Sequence, residues 1–257
     1  MAILKTAAEI EIMTEGGRRL AQILKTLKEG TQAGLTTNSL DELSFNLIKK
    51  SGAEPAFLGY RPPGSHRSYP KTLCVSINET VVHGLPSERL IMTGDLVKLD
   101  LGLKYRGFFL DSALTFCVGQ VESLAKKLIA VTSQALTLAI KKAKPGQTLG
   151  DIGWAVQSCV QSQQFSIVEM LTGHGIGRAL HEDPAVFNLG RPQGGEELVA
   201  GMVLAIEPMV SASPPPSGGK VKEMPDGSFI TRDGSLSAHF EHTVAITEHG
   251  PRILTQI

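Results

Sequence analysis

Residues 96–116 read LVKLDLGLKYRGFFLDSALTF, and the placing of two charges within this stretch decides the fold. Apolar runs flank the tip Lys104-Tyr105-Arg106-Gly107, so residues 95–103 and 108–117 are expected to pair as a β-hairpin. Asp100 and Asp111 interrupt runs that should be buried, where a carboxylate is costly unless something positive faces it. With a turn centred between Tyr105 and Arg106, paired residues have indices summing to 211. The two aspartates would then stand directly opposite each other on one face, with Cβ atoms about 4.5–5.5 Å apart. Tyr-Arg is a poor type I′ pair, so a four-residue loop with the same centre is expected. Like charges so close destabilise a sheet unless one takes a proton or a cation sits between them. On these residues alone the plainer alternative stays open, in which Asp111 begins a turn and Asp100 is solvated at a sheet edge.

Outward from the hairpin, helical and strand signals alternate. Thr6 and Glu9 have capping-box spacing, and Ile10, Met13, Leu20, Ile23, Leu24 and Leu27 recur at helical intervals before Gly30 and Gly34. A second helix is expected from about Ser39 to Lys50, stopping at Gly52. Residues 122–143 predict a long amphipathic helix with Leu124, Leu128, Val131, Leu136 and Ile140 inward, and Thr148 could cap a further helix to about Gln164. Short strands are expected at 166–171, 202–210 and 238–247, with a Pro/Gly/Ser loop between the last two. Hairpins outnumber strand–helix–strand units, which favours an α+β arrangement around an antiparallel sheet.

Composition narrows the function. Lys plus Arg and Asp plus Glu number 25 each, without a basic or acidic block, so neither a nucleic-acid nor a membrane surface is indicated. Three cysteines, Cys74, Cys117 and Cys159, are odd in number and far apart, which fits reduced thiols in a cytoplasm. The first residues carry acidic groups and lack a long apolar core, so a signal peptide is not expected. Nor does any window approach the roughly 18 apolar residues of a membrane span.

Other misplaced charges repeat the oddity of the hairpin. Glu207 ends the apolar run MVLAIEPMV, and Glu241 with His242 lies inside SAHFEHTVAIT. Too few basic residues lie in these strands, Lys98 being the nearest, to neutralise four buried carboxylates. His174 lies in GHGIGRALHEDP, where glycines let the backbone approach closely, and His181 follows. A histidine in such a turn is more often structural than a ligand. The glycine spacing is wrong for a dinucleotide cradle, and Pro184 interrupts any helix that would have to follow. Two divalent cations would balance the four carboxylates, with one imidazole completing a coordination sphere. Such a donor set suits Mn²⁺, Fe²⁺, Co²⁺ or Zn²⁺. A carboxylate-bridged pair of metals is a hydrolytic device.

The ordered set of Asp, Asp eleven later, GHGxG, EP and EHT, together with SINETVVHGLP around His83, resembles the type I methionine aminopeptidases over nearly the whole chain. That resemblance implies an α+β pita-bread fold with pseudo-twofold halves, residues 1–257 forming one catalytic domain with a short helical N-terminal extension. It implies two divalent metals, with Asp100 and Asp111 on one, Asp111 and Glu241 bridging, and His174 and Glu207 completing the other. It further implies His83 at the scissile amide, His181 at the substrate carbonyl, Glu207 as proton shuttle, and Tyr69 and Cys74 lining the methionine pocket. The implied activity is removal of N-terminal methionine before a small second residue, as part of protein maturation. The implied partners are nascent polypeptide N-termini, with the ribosome a candidate meeting place, for a cytoplasmic monomer.

Several residues depart from the family pattern. Leu180 stands where an aromatic residue is frequent, and PDGSFITRDG lacks a Trp, leaving Phe229 as a candidate pocket wall. YRPPGSHRSYP is longer than usual and should bulge at the pocket rim. Gly102 replaces a small hydroxyl residue, and His239 replaces a Gln beside Glu241. A prolidase-like hydrolase of the same fold is the main alternative, and a metal-free binding protein a weaker one, because all five ligand positions are present.

Overall fold

The computed structural model of the protein describes residues 2–61 and 67–257. The expected bulge of YRPPGSHRSYP falls largely on residues 62–66, outside the described residues. Helix α1 (Ala7–Gly30) opens with the expected capping box, in which Thr6 and Glu9 satisfy each other's backbone N–H groups. Its apolar stripe is buried, and Gly17 brings it so close to the chain that a Cβ there would meet Leu254 O at 2.2 Å. Helix α2 (Thr37–Lys50) follows, capped by the Thr36 side chain. Strands β1 (Glu54–Pro55), β2 (Leu73–Ile77), β3 (Thr80–Val82), β4 (Leu96–Tyr105) and β5 (Phe108–Cys117) complete the first half.

The second half begins with α3 (Ser123–Lys142) and α4 (Leu149–Ser162). One expectation for α3 fails: Leu124 is 45% exposed, because it precedes the inward stripe, which starts at Ala125 and continues through Leu128, Val131, Ala135 and Leu136. Then come β6 (Ser166–Ile167), β7 (Gly173–Gly175), β8 (Glu182–Val186), β9 (Val203–Ile206) and β10 (Met209–Ser211). The chain closes with β11 (Val221–Glu223), β12 (Phe229–Thr231), β13 (Ser237–His239), β14 (Glu241–Thr247) and β15 (Gly250–Ile253). The strand expected at 202–210 is thus broken at Glu207-Pro208 and the one at 238–247 at Phe240, which frees both segments to leave the main sheet for a second small one, β13-β10-β6.

The main sheet runs β1-β4-β5-β14-β9-β7-β8, with β2 also on β4 and β15 also on β14, and its pairings are antiparallel. Leu99, Leu101, Leu103 and Leu110 pack against α1 and α2, and Leu204, Ile206, Val244 and Ile246 against α3 and α4. Both helix pairs therefore cover the same face of the sheet, and the opposite face is left for chemistry.

The register of the hairpin differs from the expected one. Tyr105 pairs with Phe108 and Gly102 with Asp111, so paired indices sum to 213. Arg106 (φ 47°) and Gly107 (φ 88°) form a two-residue turn with both φ positive, the type I′ geometry, in place of a four-residue loop. Glycine supplies one left-handed position and Arg106 tolerates the other. Asp100 consequently faces Ala113 and stands diagonal to Asp111 instead of opposite it. A shift of the sum by one would have turned one aspartate to the helix side; a shift by two keeps both on the same face.

Candidate metal centre

The candidate residues fall into two adjacent rows across the uncovered face. The first runs Cys74, Asp100, Ala113, Glu241 across β2, β4, β5 and β14. Continuing the β14–β9 register one step past the His242–Ile206 pair brings Glu207 beside Glu241. The second row begins Gly102, Asp111, and ends Thr243, Ala205, His174. Thr243 Oγ1 joins its halves, accepting from Asp111 N at 3.0 Å and donating to Asp111 O at 2.8 Å. Alternate residues of a strand lie about 6.8 Å apart, so the rows are close neighbours. Ala113 and Ala205 are the small residues between the functional side chains, and Gly102 makes room for Phe57 and Ala56, which a Cβ there would meet at 2.6 Å and 3.0 Å. Gly173 has a second reason to be glycine, since a Cβ there would meet Ala205 O at 2.2 Å.

The carboxylates are buried with little compensation: Asp111 accepts from the Ser112 backbone and shares a hydrogen bond with Asp100, and no Lys or Arg side chain pairs with them among the described residues. Burial pushes Asp111 up to about 7, and holds Asp100, Glu207 and Glu241 well above the ordinary carboxylate range, with neighbouring carboxylates adding to the rise. Lys98 does not relieve them. Its ammonium is 1% exposed and donates to Asn78 O at 2.8 Å, Ser237 O at 2.9 Å and Ser237 Oγ at 3.2 Å. Meanwhile Asp100 Oδ1, Asp111 Oδ1, Glu241 Oε1 and His239 Nε2 are buried with no hydrogen-bond partner among the described residues. The ligating atoms of Asp111, His174 and Glu241 lie within 4.8 Å of one another, as do those of Glu207, His239 and Glu241. Orphaned oxygen and imidazole donors converging at this spacing, with excess negative charge, fit a divalent cation.

The histidines are arranged around this cluster. His174 Nδ1 lies 2.9 Å from Gly175 O, and a carbonyl only accepts, so Nδ1 carries the proton and Nε2 keeps its lone pair. That lone pair faces Glu207 Oε1 at 3.6 Å, and burial lowers the ring to about 4, so it is neutral at pH 7. His181 packs against His174 with ring centroids 4.2 Å apart, and burial, then His174 and His83, lower it to about 3. His83 sits at φ 58°, a left-handed conformation unusual for a side-chain-bearing residue, edge-on to Phe229 at 5.8 Å. The residue is exposed, yet nearby protein desolvates its ring enough to lower its pKa.

Cys74 is the register partner of Asp100, and burial followed by that carboxylate raises its thiol. Tyr69 Oη donates to Leu73 O at 3.0 Å and reaches Gly84 O at 3.2 Å, which anchors its ring in the same wall. Two residues beside these were not among the candidates from sequence. Tyr60 Oη lies 2.5 Å from His181 Nδ1, a contact across 121 residues of chain that no local pattern announces. His239 lies 3.3 Å from Glu207, and its signal was present: it is two residues before Glu241, in an alternating segment.

With this geometry in place, comparison with known proteins is informative. The profile of metallopeptidase family M24 matches residues 11–248. Methionine aminopeptidase 1 of Bacillus subtilis is 43% identical over 258 residues, spanning 100% of both chains. A methionine aminopeptidase of Clostridium perfringens is 44% identical with the same full coverage. The structure of a methionine aminopeptidase from Thermotoga maritima superposes with a TM-score of 0.93 at 41% identity, covering 100% of each chain. A prolidase from Pyrococcus furiosus shares the architecture at a TM-score of 0.79 and 25% identity, with this chain spanning 66% of it. The chain belongs to metallopeptidase family M24 and, within it, to the methionine aminopeptidases, with their α+β pita-bread fold.

Proposed function

We propose that this protein removes the N-terminal methionine from polypeptides whose second residue is small, with two divalent cations held by Asp100, Asp111, His174, Glu207 and Glu241. The observation that carries the reading is the pair of cross-strand rows gathering these donors on one face, in a chain alike from end to end to enzymes named for that activity. When bound, the cations supply a water of lowered pKa and polarise the peptide carbonyl. Manganese, iron, cobalt and zinc all suit the donor set.

The protein's own groups do the rest. Tyr60 Oη, 2.5 Å from His181 Nδ1, is assigned as the donor to it, which puts the ring proton on Nε2. His181 Nε2–H then donates to the oxygen that becomes negative as the carbonyl is attacked. Glu207 accepts a proton from the attacking water and delivers it to the departing amine. His83, edge-on to Phe229, hydrogen-bonds the scissile amide nitrogen. Tyr69, Cys74 and Phe229 line the pocket for the methionine side chain.

The substrates are nascent polypeptide N-termini, met in the cytoplasm and at the ribosome by a monomeric enzyme. Three free thiols, and the lack among the described residues of a helix long and apolar enough to cross a membrane, agree with that setting. The test is release of methionine from Met-Ala-Ser, Met-Lys and Xaa-Pro peptides by protein loaded with Mn²⁺ or Co²⁺. Cleavage of the first alone is expected. Equal cleavage of Xaa-Pro peptides would transfer the assignment to a prolidase-like activity.

A further inference from the structure

We propose that His239 is an additional metal ligand of this centre, its Nε2 binding a divalent cation together with one Glu207 oxygen and Glu241. The proposal rests on the metal-centre part of the function above and not on the choice of peptide. It starts from a departure in sequence, an imidazole at a position where the related enzymes often carry an amide.

The backbone that carries the ring is held in place. Thr115 Oγ1 donates to His239 O at 2.6 Å and accepts from His239 N at 2.9 Å, while β13 pairs His239 with Met209 of β10. The residue is 1% exposed, so water does not serve its ring nitrogens freely. Its Nε2 nevertheless has no hydrogen-bond partner among the described residues, although Glu207 Oε2 is 3.3 Å away. Closeness without hydrogen-bond alignment is what two donors to a common cation show. Ligands at about 2.1 Å from one metal stand about 3.0 Å apart at a right angle and about 3.4 Å apart at the tetrahedral angle.

Glu207 is divided between two imidazoles in the same manner. Its Oε1 is 3.6 Å from His174 Nε2 and its Oε2 is 3.3 Å from His239 Nε2. Glu241 belongs to both donor triplets, Asp111–His174–Glu241 and Glu207–His239–Glu241. Lys98 spends its three donors on Asn78 and Ser237 and does not compete for these oxygens. The centre thereby offers a second imidazole beside Glu207, and that nitrogen shifts its preference from manganese towards cobalt and zinc.

The test counts imidazoles on the metal. X-ray absorption of the wild-type protein carrying two equivalents of Co²⁺ should show scattering from two imidazoles per protein, and His174→Gln should retain one of them. In His239→Gln one imidazole should disappear, and the dissociation constant of one cobalt should rise by about tenfold or more, as loss of a ligand group typically does, with manganese affected less. A wild-type count of one imidazole, or a count and cobalt affinity unchanged in His239→Gln, overturns the proposal. The wild-type count decides the matter even if a variant fails to fold. Protein that shows two imidazoles but releases no methionine would refute the activity and leave the ligand assignment standing.

Discussion

Removing the metal should make this protein lose stability with rising pH, relative to the loaded form, by an amount set by its buried carboxylates. Burial raises Asp111 to about 7 and pushes Asp100, Glu207 and Glu241 well above the usual range. In the unfolded chain such groups release their protons near pH 4, at about their model-peptide values. A carboxylate raised on folding contributes stability that is complete below its unfolded pKa and is lost as pH climbs through its folded pKa. Metal-free protein must therefore shed stability towards neutrality, where the cluster still holds protons that the unfolded chain has given up. A cation replaces those protons, so metal binding releases them and tightens as pH rises.

Each proton displaced makes the metal-dependent stabilisation grow by about 1.4 kcal/mol per pH unit. If two of the shared protons leave, the growth is about 3 kcal/mol per pH unit. At roughly 2 °C per kcal/mol for a chain of this length, that is about 6 °C. Histidine ligands do not oppose it, because His174, lowered to about 4, and His239, lowered to about 3, are neutral throughout the window. Lys98, pushed down to about 7 by burial, titrates with the opposite sign, since the unfolded lysine keeps its proton longer. Its contribution, like that of His242, is common to both forms and cancels in the difference. The assay is paired thermal melts between about pH 6 and pH 8, one with chelator and one at fixed free Mn²⁺. A gap in Tm that stays constant or narrows with rising pH would show that the carboxylates are not protonated in place of metal.

Three further outcomes follow from particular contacts. Tyr60→Phe removes the hydroxyl at His181 Nδ1 and should cut kcat by about tenfold with KM little changed, while His181→Ala should cost about 10²–10³ as an oxyanion donor does; steady-state kinetics on a Met-Ala peptide separates the two. Gly102→Ala would drive a methyl to 2.6 Å from Phe57 Cε1 and 3.0 Å from Ala56 Cβ. Such overpacking should cost about 1–3 kcal/mol, read from urea melts with an unchanged m-value. Lys5→Met removes the charged partner of Glu182, whose ion pair with Lys5 spans 2.5 Å with both side chains at most 2% exposed, and leaves that carboxylate only the backbone N–H groups of Arg178 and Ala179; it should cost about 3 kcal/mol by the same melts.

The sequence spoke clearly wherever a signal was local. The Thr6–Glu9 box, the stripe of α1 and the alternation of β4 and β5 depend on neighbours a few residues apart. Even the error at the hairpin was confined: choosing Tyr105-Arg106 over Arg106-Gly107 as the turn moved the register by two and left the aspartates on the correct face. Glu207 and Glu241 were conspicuous because a carboxylate in an apolar run is rare whatever surrounds it. Partners distant in sequence stayed hidden. Nothing near Tyr60 indicates His181, and nothing near Lys98 indicates that Asn78 and Ser237 will take its ammonium before any carboxylate can.

The same contrast explains why the centre sits where it does. A loop would need special geometry to hold each carboxylate, whereas a sheet aligns them by register alone, once β4, β5, β14 and β9 pair as they do. The cost is that the register crowds these carboxylates together, with oxygens that no protein donor serves among the described residues. Backbone pairing and the apolar face beneath α1 and α3 must hold the sheet against that repulsion. Ala113 and Ala205 stand between the donors in their rows, so no bulky side chain of the sheet separates the carboxylates from one another. The charge that opposes folding is then the charge that binds metal, and neither can be reduced without weakening the other.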